Sequence, residues 1–207
     1  MNDYIAQMLD QLDLPRCPHC NVAKPRLDRI SGPNESASFS GGNRRWWSGY
    51  RCNTCGAMVL AASSAGQNGV VTEMYPSPQI ADQVIPDPAR TYLQQAIDSL
   101  HAPAGAVMLA ASAVDSMLKG KGLKDGSLYQ RIDKAASDHL ITSEMAQWAH
   151  EVRLDANDQR HADEYAPLPN EDEARKCINF VLALAEFLFV LPAKVERGRT
   201  KPEPKPA

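Results

Sequence analysis

"YPSPQIADQVIPDPA", residues 75–89, decides the fold, because the apolar pattern on its two sides has different periods. Upstream lie short runs of β-favouring residues, "RRWWSGYRC" (44–52), "AMVLAAS" (57–63) and "VVTEMY" (70–75). Between them lie the loop-like segments "SGPNESASFSGG" (31–42) and "SSAGQNG" (63–69), so this part predicts strands. Downstream the period is helical. Asp87 followed by Pro88 predicts a helix start, with Asp87 capping free amides and Tyr92, Leu93, Ala96, Ile97 and Leu100 as its buried stripe. Further helices are predicted over 103–118, from the capping box "SLYQ" at Ser127, from about Thr142 with Met145, Trp148, Ala149 and Val152 facing the core, and from Asn170 to Leu191. Cys177 on the last of these is expected to be a small buried residue.

The expected fold is therefore mainly α: an up-and-down bundle of about five helices preceded by a small zinc-ribbon β module. By residue, 1–76 would be a short N-terminal helix plus the ribbon, 77–87 a linker, 88–194 the bundle and 195–207 a disordered, solvated tail.

The ribbon rests on two C-x2-C pairs, "CPHC" (Cys17, Cys20) and "CNTC" (Cys52, Cys55). Four thiolates in that spacing hold tetrahedral Zn²⁺, and four protein ligands leave no open coordination position, so one structural zinc per chain is expected. Disulfide pairing and a redox C-x2-C are the alternatives, and the doubling of the motif favours zinc. The 31 residues between the pairs are assigned to a polar loop over 31–43. His19, inside the first pair, is expected at the surface rather than as a fifth ligand.

The formal charge of −3 gives the 207-residue chain no broad attraction for nucleic acid, yet residues 16–51 carry seven Lys/Arg against two acids. In that stretch Arg44, Arg45, Trp47 and Arg51 mix cations with aromatic surface, as single-strand binders do. The competing reading is that both Trp46 and Trp47 roof a module with little other core. The N-terminus has acids where a signal peptide needs positive charge, and the apolar runs fall short of the ~20 residues of a membrane span, which predicts a cytoplasmic protein without membrane contact.

"RLDANDQRH" (153–161) ends the fourth predicted helix and puts Arg153, Asn157 and His161 on one face at spacings of four. His161 can exchange a proton near neutral pH and Arg153 offers a forked donor for phosphate, the pairing that metal-free RNA cleavage needs, with Asn157 as orienter. Polar residues at a helix end also serve as structural links, and that alternative stands beside the catalytic one. Asp115 and Arg160 are expected to assist in substrate binding, Asp115 by pairing with Lys119 or steering an arginine. Seven residues separate Arg153 from His161, about 12 Å along a straight helix.

A bundle whose fourth helix ends in Arg-x-x-(Gly/Ala)-Asn-x-x-x-His, behind a paired-cysteine ribbon, resembles the HEPN-like (higher eukaryotes and prokaryotes nucleotide-binding) superfamily, in its prokaryotic domain-of-unknown-function branch. The resemblance covers Asp87 to about Lys194 and carries the family motif onto Arg153, Asn157 and His161. It implies an RNA-directed protein, a homodimer, and a metal-independent endoribonuclease of a toxin or phage-defence system, with a possible protein partner from the same system. Against that stands a non-catalytic adaptor that dimerises and binds a protein or nucleic-acid partner, and a third reading is nucleotide or small-ligand binding between helices.

Overall fold

The computed structural model describes residues 6–161 and 167–199, His161 by its helical backbone only. The chain divides into two compact units, the first ending at Gln79 and the second beginning at Ile80. Each closes round its own hydrophobic cluster.

The first unit is a four-stranded antiparallel sheet in sequence order, β1 (Leu27–Ser36), β2 (Arg45–Cys52), β3 (Met58–Ser63) and β4 (Glu73–Tyr75). Alternation sends Ser48 and Tyr50 of β2, opposite Ala61 and Val59 of β3, to the buried face. No helix forms over residues 6–16; the N-terminal segment runs extended, bridging Gln7 to Val70 and Gln11 to Asp28. Ala6, Met8, Leu12 and Leu14 are buried at even spacings, so a period of two overrides the helix expected there. The Tyr50 hydroxyl donates to the Leu9 carbonyl at 3.0 Å and ties this segment down. The expected loop over 31–43 is partly strand, because Ser31, Asn34 and Ser36 pair with Gly49, Trp47 and Arg45. β1 is an edge strand, where polar residues face water and a bulge is tolerated; its register shifts around Gly32, at φ +86°, where any side chain would collide with the Trp47 carbonyl.

Asp28 fastens the sheet to its surroundings, accepting from Asn53 at 2.8 Å, Arg26 at 3.1 Å and Gln11 at 3.2 Å. Those donors, Asn53 foremost, hold its carboxyl below the ordinary 3.8. A depressed folded value gives stability that is present above the ordinary value and lost as pH falls through the lower one. The acid-side decline in stability of this unit is therefore expected to be shallower in Asp28→Asn than in wild type below about pH 4, measured by urea melts at several pH values. Equal acid sensitivity in the two proteins refutes that assignment.

The second unit holds α1 (Ala89–Asp98), α2 (Pro103–Gly120), α3 (Leu128–Ser137), α4 (Ser143–His161), α5 (Glu171–Ala185), a π-helical turn at Glu186–Val190 and α6 (Leu191–Arg199). Alanines 106, 110, 111 and 113 on α2 let α1, α4 and α5 approach closely around it. Ser127 and Asn170 each close a capping box, with Gln130 and Glu173. Asp87 does not cap α1; its carboxylate accepts from Thr91 and Arg90 side chains instead. Trp148 touches Phe180, with ring centroids 5.0 Å apart, yet stays 42% exposed, and Ala146 takes an inward position on α4. The helical run extends past Lys194 to Arg199, so residues 195–199 of the expected tail are helix; 200–207 lie outside the described residues. That whole run, Glu171–Arg199, is the one described helix long and apolar enough to cross a membrane by length and composition. A core helix meets the same criterion, and Cys177, Ile178, Val181 and Leu184 bury its inner face.

Candidate functional site

Two matching turns bring four cysteines together. Cys17 N–H donates to Val22 O and Asn21 N–H to Cys17 O, both at 3.0 Å. Cys52 N–H donates to Ala57 O at 2.9 Å and Gly56 N–H to Cys52 O at 2.8 Å, with Gly56 at φ +75° completing the turn. The Sγ atoms of Cys17, Cys20, Cys52 and Cys55 all lie within 4.8 Å of one another, a set that can hold a metal ion. Tetrahedral bonds of ~2.3 Å place sulfurs about 3.8 Å apart, so the cluster fits. Burial pushes the Cys17 thiol up and the Cys20 thiol up to about 12. At Cys52 burial is outweighed by hydrogen bonds from the Cys55 and Thr54 amides, and the value falls to about 7. His19 stays out of the cluster, its ring Nε2 meeting the Met58 carbonyl at 2.8 Å.

On β2, Arg45, Trp47 and Arg51 alternate onto the outward face while Trp46 lies opposite Ser63 on the other. Arg44 pairs with Glu35 at 3.4 Å and Arg45 with Glu73, whereas Arg51 has no ion pair among the described residues.

Of the polar line on α4, the side chains of Arg153 and Asn157 are described. Arg153 lays its guanidinium over the Tyr129 ring, 5.3 Å from the centroid, with its Nε buried and unpaired among the described residues. Asn157, one turn on, is exposed. The side chain of His161 falls outside what is described. Arg160 instead lines a recess of about 410 Å³ with Tyr92, Ser112, Asp115, Lys119 and Arg131. Asp115 makes both contacts expected of it: Lys119 Nζ lies 2.6 Å from one oxygen, and Arg131 meets the other at 2.6 Å through Nη2 and 2.9 Å through Nε. Arg131 is 8% exposed, and its Nη1 also donates to the carbonyls of Lys124, Asp125 and Gly126. Three cations face one carboxylate in a unit whose residues 80–207 hold 15 Lys/Arg against 19 acids.

Every charged group of that recess, and all of α2 to α6, lies inside the stretch matched by a family model described as "Domain of unknown function (DUF4145)", residues 94–201. The chain belongs to the DUF4145 family. No curated protein and no solved structure matches it.

Within the DUF4145 domain, a second polar group eluded the sequence. His150 Nε2 lies 2.9 Å from Asp133, its ring 4.6 Å from that of Tyr129, and its Nδ1 is buried without a partner among the described residues. Arg153 therefore belongs with Tyr129, His150 and Asp133 between α3 and α4, not with the recess. Cys177 is buried as expected, its Sγ 3.7 Å from Asp155 Oδ2, and burial pushes the thiol up to about 12, which makes it inert. Arg131 could have been noticed as a lone cation next to Ile132 in the buried stripe of α3. Nothing in the sequence announced Tyr92 or Lys119 as its neighbours in space.

Proposed function

We propose that this DUF4145 protein is an RNA-directed member of the HEPN-like superfamily, an up-and-down helical bundle behind a ribbon that carries one structural zinc. The supporting observation is the cationic recess: Lys119, Arg131 and Arg160 surround about 410 Å³ at the end of the helix that carries Arg153, Asn157 and His161. A pocket with excess positive charge inside an acidic domain selects an anion, and its size suits one or two phosphate-linked groups. In the catalytic reading His161 takes the proton of a 2′-hydroxyl, that oxygen attacks phosphorus, and Arg160 meets the charge gathering on the non-bridging oxygens. The 5′-oxygen departs, taking its proton from solvent, and a cyclic phosphate end remains. Zinc held by Cys17, Cys20, Cys52 and Cys55 would stabilise the ribbon and take no part in this step. Two chains would pair as a homodimer, in the cytoplasm, as part of a toxin or phage-defence system.

The stance of Arg153 favours the second reading, a non-catalytic adaptor that dimerises and binds a protein or nucleic-acid partner. Its guanidinium is spent on Tyr129, and it does not line the recess. One experiment separates the two. Wild type, Arg160→Ala and His161→Ala are incubated with mixed RNA in EDTA after confirming that the metal stays bound. Cleavage by wild type with cyclic-phosphate ends, reduced about 10²–10⁴-fold in His161→Ala, is the expected result. Cleavage unchanged in that variant, or none by any of the three across several RNA classes, removes the nuclease and leaves the adaptor.

A further inference from the structure

The outward face of the sheet carries a pair of rings that the recess does not explain. Trp47 on β2 and Tyr75 on β4 stand 6.4 Å apart, centroid to centroid, with 28° between their planes. The strand between them contributes Ala62, opposite Trp47 on one side and Glu73 on the other, and Leu60, opposite Tyr75. Ala62 is fully buried beneath this pair, so the two rings form a stacked platform, and Tyr75, 55% exposed, turns ring surface to water. Beside it on the same face Met58 is 54% and Leu60 43% exposed, with Arg45, Arg51 and Glu73 around them. An apolar patch of this kind in water marks a binding surface.

Charge decides which flat ligand this platform suits. An aromatic pair also attracts quaternary ammonium groups, and Glu73 would help one, but Arg45 already holds that carboxylate and the Tyr75 hydroxyl approaches its other oxygen at 3.4 Å. Asp28, directly across from Arg51, is taken up by Asn53, Arg26 and Gln11. Glu35 is held by Arg44. With each of these acids engaged, Arg51 is the cation of this face that has no ion pair among the described residues, and it sits on the same strand and face as Trp47. The face therefore repels a cation and offers a planar ligand with attached anions both a stacking surface and a counter-charge. An unpaired nucleobase with its phosphate has that chemistry, and since every base has a π-face the fit needs no particular sequence.

We propose that this face binds single-stranded nucleic acid, with an unpaired base held at Trp47 and Tyr75 and its backbone phosphate at Arg51. This rests on the RNA-directed reading and narrows it to unpaired strands, while binding is read separately from cleavage. The test uses the full chain with its metal, in the His161→Ala background so that no strand is cut. Fluorescein-labelled oligo-U, oligo-dT and a mixed-sequence duplex, each of about a dozen nucleotides to span one site, are titrated by anisotropy. Binding of either single strand well above the duplex is expected, and whether RNA or DNA binds better identifies the source. Trp47→Ala with Tyr75→Ala should raise Kd about ten- to a hundred-fold. Trp47→Phe with Tyr75→Phe, which keeps both rings, should bind nearly as wild type. Arg51→Gln should lower the slope of log affinity against log salt by about one. Three results overturn the proposal: no binding of single strands at low salt, duplex bound as well as single strands, or wild-type affinity in the double alanine variant. Metal content and a thermal melt of each variant confirm that it is folded. Cleavage by the parent protein together with any of those results would sink the platform and spare the nuclease.

Discussion

Cys52→Ser is expected to release the metal and unfold the first unit while leaving the helices of the second intact. Cys52 ends β2, is fully buried and pairs with Leu27 across the sheet, so its sulfur lies where the inner core and the cysteine cluster meet. Serine preserves the size and removes the thiolate that a zinc ion would bind. Structural zinc contributes roughly 10–16 kcal/mol in small modules, against a total stability of about 5–15 kcal/mol for an ordinary domain. A sheet of four strands with one small hydrophobic cluster has no reserve to cover that loss. Metal analysis should fall from about one ion per chain to near zero. The fluorescence of Trp46 and Trp47 should shift to that of exposed indole, and the far-UV helical signal, which comes from the second unit, should persist. Cys177→Ser, on α5, should leave metal content unchanged. A Cys52→Ser protein whose sheet still melts cooperatively at the wild-type temperature would refute structural zinc.

Asp115→Ala is expected to destabilise the second unit by about 3–5 kcal/mol, the penalty for leaving a buried cation without its carboxylate. Arg131 is nearly sealed from water, so solvation does little to relieve the loss. The carbonyls of residues 124–126 accept from its Nη1 only, and Nε and Nη2 lose their partner. Arg131→Met should cost less, because Asp115 keeps Lys119 at 2.6 Å and its side chain is 22% exposed. Combining the two substitutions should recover part of the Asp115→Ala loss. Thermal melts followed by far-UV circular dichroism should show a fall on the order of 10–20 °C for Asp115→Ala. Equal falls for all three variants would mean that the pair is not what holds this corner together.

These two sites differ in how visible they were beforehand. The cysteines repeat a short spacing that only metal chemistry explains, so the cluster could be written down before any coordinates. Ser127 with Gln130, and Asn170 with Glu173, were equally plain, because a capping box is a contact between residues three apart. The recess is half legible in the sequence: Asp115 and Arg160 stand out there, but Arg131 joins them from α3 and Tyr92 from α1, and such meetings depend on how helices cross. The contact of Arg153 with Tyr129 was hidden for a related reason. Spacing along α4 puts Arg153 on one face with Asn157 and His161, whereas the ring under its guanidinium is that of Tyr129 on α3, which no spacing along α4 encodes. The N-terminal segment shows a different failure: with polar residues between its apolar ones, residues 6–14 suit either period, and sheet edges nearby settled the matter. The Trp47–Tyr75 pair arises from strands joined only through β3, a relation no local pattern encodes.

The two buried clusters have no residue in common. A lineage can therefore exchange the sheet for some other attachment, or shed it, and the helices keep their own interior. Deep mutational scans scored by cellular abundance should accordingly sort damaging core changes into two sets, one rescued by supplying zinc and the other indifferent to it.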